Sequence, residues 1–173
     1  MGKVEDYSAG IVYRHEQNLS GPKKDRLQVL RHTHAHFGQI FMLYPDREGA
    51  VDAVLSQASQ GAPVLDVVDE YGARHRVWAI SDPTTTAQLQ SLMADKKLLI
   101  ADGHHRYETS LNYRNENPND PAAAYVMMTF VNMYSPGLRI LATHRVLRNL
   151  EQFDAADLLR KVEQASNPAS SGK

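Results

Sequence analysis

The sequence predicts an α/β or α+β domain in which a mixed sheet packs against helices. Short apolar runs typical of strands alternate with segments whose apolar residues recur at helical spacing. A hairpin pattern around Tyr71-Gly72 and a long strand pair after residue 121 interrupt this alternation, which favours a mixed rather than a purely parallel sheet. We expect one domain over residues 1–165 and a disordered tail over residues 166–173, where Pro, Ser and Gly are frequent.

Strands are predicted where β-branched and aromatic residues cluster or alternate with polar ones. Turn formers such as Pro45, Gly72 and Gly137 separate these runs. The predicted strands are residues 7–15, 39–44, 64–69, 74–80, 98–101, 122–133 and 138–146.

Helices are predicted where apolar residues recur every three or four positions. Gly38 and Gly61 follow two of these segments and favour helix termination. Ser81-Asp82-Pro83 precedes a third and is typical of a helix start. The predicted helices are residues 23–37, 49–60, 84–94, 104–115 and 154–164.

The composition excludes several classes of function. The chain has no cysteine, which rules out thiol catalysis, disulfides and zinc–thiolate sites within it. Its formal net charge of -1, with acids and bases interspersed, argues against nucleic acid as a partner. The first residues do not resemble a signal peptide, and no apolar run is long enough to span a membrane. We therefore expect a cytoplasmic protein without a membrane partner. The sequence carries no indication of an oligomeric state.

The stretch around Asp102-Gly103 combines a strand, a tight turn and a helix start. Residues 98–101 are apolar, Asp102 and Gly103 favour a turn, and Asp102 could cap a helix beginning near His104. A helix N-terminus attracts anions, and Arg106 adds a planar fork that suits phosphate. An ordinary connecting turn is the alternative. The predicted cofactor-binding residues are Asp102, Gly103, His104, His105 and Arg106.

Other polar residues are candidates for the same site. Glu16, at the end of the first predicted strand, is assigned as general base beside His104 and His105, with a surface ion pair as an equal alternative. His144 and Arg145 follow another apolar run and either face the same cleft or serve the structure. The predicted catalytic residues are Glu16, His104 and His105; the predicted substrate-binding residues are Tyr107, Glu108, His144 and Arg145.

The tract His32, His34 and His36 resembles a metal-binding sequence only superficially. On a helix, His32 and His36 share a face and His34 lies roughly opposite, so at most two of them could bind one ion. No carboxylate stands at the spacing of a zinc protease. A solvated helix face with one packed imidazole explains the tract, and no metal-ligating residues are predicted.

Asp102-Gly103-His104-His105-Arg106-Tyr107-Glu108-Thr109 resembles the signature of a prokaryotic family, domain of unknown function 1015. Four shorter stretches add to the resemblance, which runs from about Tyr7 to Phe153. Members of that family are usually longer, which implies that this chain is a fragment. The shorter stretches are His15-Glu16, Lys24-Asp25-Arg26-Leu27, Phe41-Met42-Leu43-Tyr44 and Thr143-His144-Arg145-Val146.

This family resembles, more distantly, the ParB/sulfiredoxin-like superfamily, in which a turn at a helix N-terminus binds nucleotide phosphates. The turn here matches as Gly103-His104-His105-Arg106. His104 stands where sulfiredoxins have their catalytic cysteine, so that chemistry is excluded. The resemblance implies a nucleotide- or phosphate-binding domain with ATP, ADP or CTP as ligand.

The activities that this resemblance implies are those of a small-molecule kinase, acting on an alcohol such as free serine, or of a phosphohydrolase. Asp102 or Glu108 would either orient a histidine or hold Mg²⁺ through water. A non-catalytic module that senses nucleotides or anions is the alternative. A ParB-like nuclease is a third, which the net charge disfavours.

Overall fold

The computed structural model describes residues 1–16, 21–142, 144, 146, 148–149 and 152–166, without the side chains of residues 21–24 and 165–166. The chain divides into two compact units, Met1–Leu138 and Arg139–Lys173. The expected single domain over residues 1–165 stays a prediction, and most of the expected tail lies outside the described residues.

The first unit contains short strands and four longer helices among its described residues. Its strands are β1 (Gly2–Lys3), β2 (Val12–Tyr13), β3 (Ile40–Tyr44), β4 (Leu65–Val68), β5 (Arg74–Val77), β6 (Leu98–Asp102), β7 (Tyr125–Val126) and β8 (Met128–Asn132). Its helices are α1 (Gly21–Thr33), α2 (Ala50–Ala58), α3 (Pro83–Met93) and α4 (His104–Glu116), with 3-10 helices at Tyr7–Ala9 and Pro121–Ala124. In the second unit the structure describes α5 (Ala155–Ser166).

The largest sheet has the strand order β2-β6-β3-β8. β6 runs parallel to β2 and antiparallel to β3, and β3 runs parallel to β8. The pairs β1–β7 and β4–β5 form two further antiparallel sheets, the second being the hairpin predicted around Gly72. Helices and a mixed sheet thus confirm the predicted fold class.

Two predicted elements are shorter than the sequence suggested. The predicted strand over residues 7–15 is reduced to β2, because a 3-10 helix precedes it and ends at Gly10, whose φ of +65° is left-handed. The helix predicted to reach Phe37 ends at Thr33, because His34 adopts a φ of +51°. The apolar spacing in the sequence continues past both points, but the backbone leaves the regular strand or helix conformation there.

Two predicted strands near the end of the first unit also differ. The long strand over residues 122–133 is divided into a 3-10 helix that starts at Pro121, then β7, then β8. The strand predicted over residues 138–146 is absent at every described position in that range. Ile140 is 95% exposed, so this apolar run lacks the burial that a strand pattern assumes.

The core joins the sheet to α4. Tyr107 and Leu111 of α4 pack with apolar residues of the neighbouring strands, and Tyr107 is fully buried. Their burial removes apolar surface from water and holds the helix on the sheet. The other members of this cluster are Val4, Val12, Ile40, Met42, Ile100, Val126 and Met128.

The chain before β2 is hydrogen-bonded to two side chains of α4, those of Tyr107 and Arg114. The Tyr107 hydroxyl accepts a hydrogen bond from the Glu5 N–H (2.9 Å) and donates one to the Glu5 carbonyl oxygen (2.7 Å). Arg114 donates to the Val4 carbonyl oxygen at 2.6 Å. Burial raises the pKa of Tyr107 to about 12, so the phenol keeps its proton at neutral pH. These bonds fix the segment around Glu5 along α4.

Among the described residues we find no helix with both the length and the apolar character needed to span a bilayer.

Tyr107→Phe tests the bonds between Tyr107 and Glu5. Removing the hydroxyl leaves two backbone groups of Glu5 without their partner, so we expect the free energy of unfolding to fall by about 1–3 kcal/mol. Urea denaturation measures this change. Tyr71→Phe is the control, since Tyr71 is 87% exposed on the hairpin. Equal stability of the two variants would show that the hydrogen bonds between Tyr107 and Glu5 do not stabilise the fold.

Candidate functional site

The candidate site is built on the turn between β6 and α4. β6 ends at Asp102, α4 begins at His104, and Gly103 between them has a φ of +94°. That left-handed conformation is one that glycine adopts cheaply. Asp102 does not cap the helix as predicted. Instead its carboxylate accepts a hydrogen bond from the Arg106 guanidinium at 2.8 Å, because Arg106 lies one helical turn away.

The N-terminus of α4 is not capped by a side chain from the described residues. Gly103 occupies the cap position and contributes only its carbonyl, which accepts from the Tyr107 N–H at 2.9 Å. The N–H groups of a helix's first turn have no partner within the helix, and they carry part of the positive end of its dipole. The turn therefore presents backbone donors suited to an anion.

His104 lies on the side of the turn that faces the end of β2. Its side chain is buried, with the residue only 5% exposed, and its ring meets the His15 ring edge-on at 4.6 Å between centroids. Burial, followed by the proximity of His15, lowers the pKa of His104, which favours the neutral imidazole at pH 7. Ligand atoms of His15, Glu16 and His104 all lie within 4.8 Å of one another.

The segment that carries His15 and Glu16 is fixed to α4 by Arg14. The Arg14 guanidinium pairs with the Glu108 carboxylate at 3.3 Å and lies over the Tyr7 ring, 4.6 Å from its centroid. Glu108 is buried in the body of α4. Because Arg14 directly precedes His15, this ion pair sets the position of His15 relative to His104.

Arg106 lies on another side of the turn and lines a pocket. Its side chain passes close to Gly103 and Gly38. A Cβ at Gly103 would lie 2.9 Å from Nη2 of Arg106, and a Cβ at Gly38 would lie 3.3 Å from its Cδ. The pocket has a volume of about 300 Å³ and lies between α1, the segment after it, and α4. Its lining residues are Arg26, Val29, Leu30, Ala35, His36, Phe37, Gly38, Arg106 and Thr109.

The pocket combines basic and apolar groups. Arg26 and Arg106 supply two guanidinium groups, and Phe37 is an aromatic residue that is 79% exposed. Burial lowers the pKa of His36, which favours its neutral form. An anion attached to a flat apolar group matches this chemistry better than a bare anion does.

The structure brings together part of the predicted site. Glu16 lies beside His104, as its assignment to the same site requires. Tyr107 is hydrogen-bonded to the backbone of Glu5, and Glu108 forms an ion pair with Arg14. These contacts give both residues a structural role. Their predicted role in substrate binding stays a prediction. His144 belongs to the second unit, and Arg145 lies outside the described residues, so their role also stays a prediction.

The histidine tract does not form one helical face. His32 is in α1, and its Nδ1–H donates a hydrogen bond to the Gln28 carbonyl oxygen at 2.8 Å. His34 follows the helix, and its Nδ1 shares a hydrogen bond with the Tyr113 hydroxyl at 2.8 Å. The prediction that His32 and His36 share a helix face is wrong, because α1 ends at Thr33.

Sequence reasoning missed His15 as a partner of His104, and it missed the pocket beside Arg106. The pair His15-Glu16 stood out in the sequence, but only Glu16 was assigned a role. The pocket had one signal, an arginine on a predicted helix followed by Phe37-Gly38. The apolar spacing placed Phe37 on the predicted helix, so the sequence did not indicate a pocket after the helix end.

Comparison with known proteins identifies a family. Neither the curated proteins nor the solved structures include a match to this chain. The model of a family described as protein of unknown function (DUF1015) matches residues 1–170, nearly the whole chain. This confirms the resemblance carried by the segment from Asp102 to Thr109, and the chain belongs to the DUF1015 family.

Proposed function

We propose that the turn and the pocket beside it bind the phosphate end of a nucleotide. One observation carries the proposal: Arg106, in the first turn of α4, lines a pocket that also contains Arg26 and the exposed Phe37. The two guanidinium groups and the helix N-terminus favour an anion.

The contacts of Arg106 support this role. Asp102 accepts from Nη2, which orients the guanidinium without occupying its other donors. Nε of Arg106 is buried and has no hydrogen-bond partner among the described residues. A phosphate oxygen could accept from Nε only if the guanidinium turned toward the pocket, and it would then satisfy that donor. Its negative charge would also lie near the positive end of the α4 dipole.

The apolar part of the pocket suits the base of a nucleotide. Val29, Ala35 and Phe37 line it, and an exposed aromatic ring offers a face on which a base can stack. A volume of about 300 Å³ is at the lower end of that of small-molecule sites. ATP, ADP and CTP are the candidate ligands.

The enzymatic form of the proposal is transfer of a phosphoryl group to a small alcohol such as free serine, or to water. Glu16 would accept the proton of the attacking hydroxyl, and His104 and His105 would stabilise the transferred group. Mg²⁺ held through water by Asp102 or Glu108 would neutralise phosphate charge.

A non-catalytic sensing module is the second candidate. Neither Glu16 nor His104 lines the pocket in which Arg106 lies, and this separation favours binding without turnover. The two candidates are distinguished by incubating the chain with ATP, ADP or CTP, with and without serine, and measuring product. Product formation supports the enzyme, and binding without product supports the sensing module. Absence of both binding and product contradicts the proposal as a whole.

Arg106→Ala tests the phosphate contact. Losing a charge-assisted contact costs about 1.5–3 kcal/mol, so we expect nucleotide affinity to fall by about tenfold to a hundredfold with the fold intact. Titration calorimetry with ADP measures this loss. Arg74→Ala is the matched control, since Arg74 pairs with Asp66 on the exposed hairpin. Equal affinity of the Arg106 variant and the parent would remove Arg106 from the site.

Gly103→Ala tests the backbone of the turn. The new Cβ would strain a left-handed residue at a cost of about 1–3 kcal/mol and would also displace Arg106. We therefore expect a lower melting temperature and weaker ADP binding, and Gly103→Val should abolish binding.

Gly72→Ala is the control for Gly103→Ala, because Gly72 has a φ of +80° and a Cβ there would meet nothing within 4 Å. It should lower the melting temperature while leaving ADP affinity unchanged. An alanine at position 103 that binds ADP as well as the parent would show that this turn does not hold phosphate.

A further inference from the structure

We infer that His15, Glu16 and His104 form a binding site for a divalent transition-metal ion. Each of the three residues offers a ligand atom, and these atoms lie within 4.8 Å of one another. Within the described part of the chain, this is the one group of three such residues that converges in this way. The inference goes beyond the proposed function and does not depend on it.

His104 is the strongest member of the group. Its Nε2 is buried, and no described group forms a hydrogen bond with it. A buried imidazole nitrogen without a partner is unfavourable, since it has lost its bonds to water. A metal ion bound at Nε2 would satisfy this atom. Neutral imidazole is also the form of histidine that binds metals.

The fold brings the three residues together at one edge of the sheet. β2 and β6 are parallel neighbours, with Val12 opposite Leu98 and Tyr13 opposite Leu99. β2 ends at Tyr13, opposite Leu99, and β6 runs on in the same direction to Asp102. His15 and Glu16 therefore follow β2 toward the end of β6, after which His104 begins α4. The Arg14–Glu108 ion pair holds the first segment in place. Strand pairing and this ion pair thus position the cluster.

The distances fit one ion after small side-chain rotations. In a tetrahedral zinc site with bonds of about 2.0–2.2 Å, two ligand atoms lie about 3.3–3.6 Å apart, so the side chains must close by about 1 Å. His15 and Glu16 are exposed, so their side chains can adjust toward the buried His104.

The ligand types select the class of metal. Two imidazoles and one carboxylate suit Zn²⁺ and similar transition metals, whereas Mg²⁺ prefers oxygen ligands. Three protein ligands leave further positions open for water or a phosphoryl oxygen. Glu16 bound to a metal would not be free to act as the general base, so the metal site and the predicted base are competing roles for this residue.

The test is a titration of the full chain, purified without an affinity tag and freed of metal by a chelator, with Zn²⁺ alone. We expect one Zn²⁺ per chain and no comparable binding of Mg²⁺. His15→Ala, at an exposed position, should weaken Zn²⁺ binding at least tenfold without lowering the melting temperature of the metal-free chain. Glu16→Gln, which keeps the side-chain size, should also weaken it. His104→Gln should abolish it.

Two controls make the test specific. His32→Ala probes the histidine tract, and Arg106→Ala probes the proposed phosphate site; both should bind Zn²⁺ as the parent does. Failure of nucleotide binding would therefore leave this inference standing. Absence of Zn²⁺ binding, binding unchanged in His15→Ala, or binding lost in His32→Ala would each overturn it.

Co²⁺ provides a spectroscopic check on Glu16. The visible absorption of Co²⁺ depends on its ligands, so Glu16→Gln should change the spectrum of the Co²⁺-loaded chain. An identical spectrum in parent and variant would exclude Glu16 as a ligand.

Discussion

The packing of α4 against the sheet, with Tyr107 buried at its centre, is the constraint on which the rest of the structure depends. Through its hydroxyl, Tyr107 also fixes the backbone of Glu5, and Arg114 fixes that of Val4. The chain before β2 is thereby held along the same helix that carries the candidate site. β2 pairs with β6, the strand that leads into α4, so polar side chains from distant parts of the sequence come together beside the first turn of α4.

The turn at Gly103 separates two kinds of chemistry. On one side, the buried His104 meets His15 and Glu16, and burial lowers the pKa of its imidazole. On another, Arg106 is oriented by Asp102 and lines the pocket with Arg26. A single left-handed glycine allows both, because it starts the helix without a side chain that would push Arg106 away. The proposed metal ligand His104 and the proposed phosphate contact Arg106 are therefore two residues apart in the chain and remain chemically distinct.

The parts of the structure that depend on local sequence could be predicted, and the parts that depend on distant contacts could not. The start of α4 followed from the apolar run before Asp102-Gly103. The N-cap at Asp102 was wrong because Arg106, one turn later, competes for its carboxylate. The pocket was missed because periodicity extended α1 through Phe37, whereas the left-handed His34 ends it at Thr33. The meeting of His15 with His104 depends on the pairing of β2 with β6, which no local pattern encodes.

The central claim is that the turn from Gly103 to Arg106 is where this protein binds its ligand. A crystal structure of the chain grown with ADP tests it most directly. We expect phosphate oxygens within hydrogen-bond distance of the Arg106 guanidinium and of first-turn N–H groups of α4, with the base against Phe37. ADP bound elsewhere, with Arg106 contacting only Asp102, would contradict it.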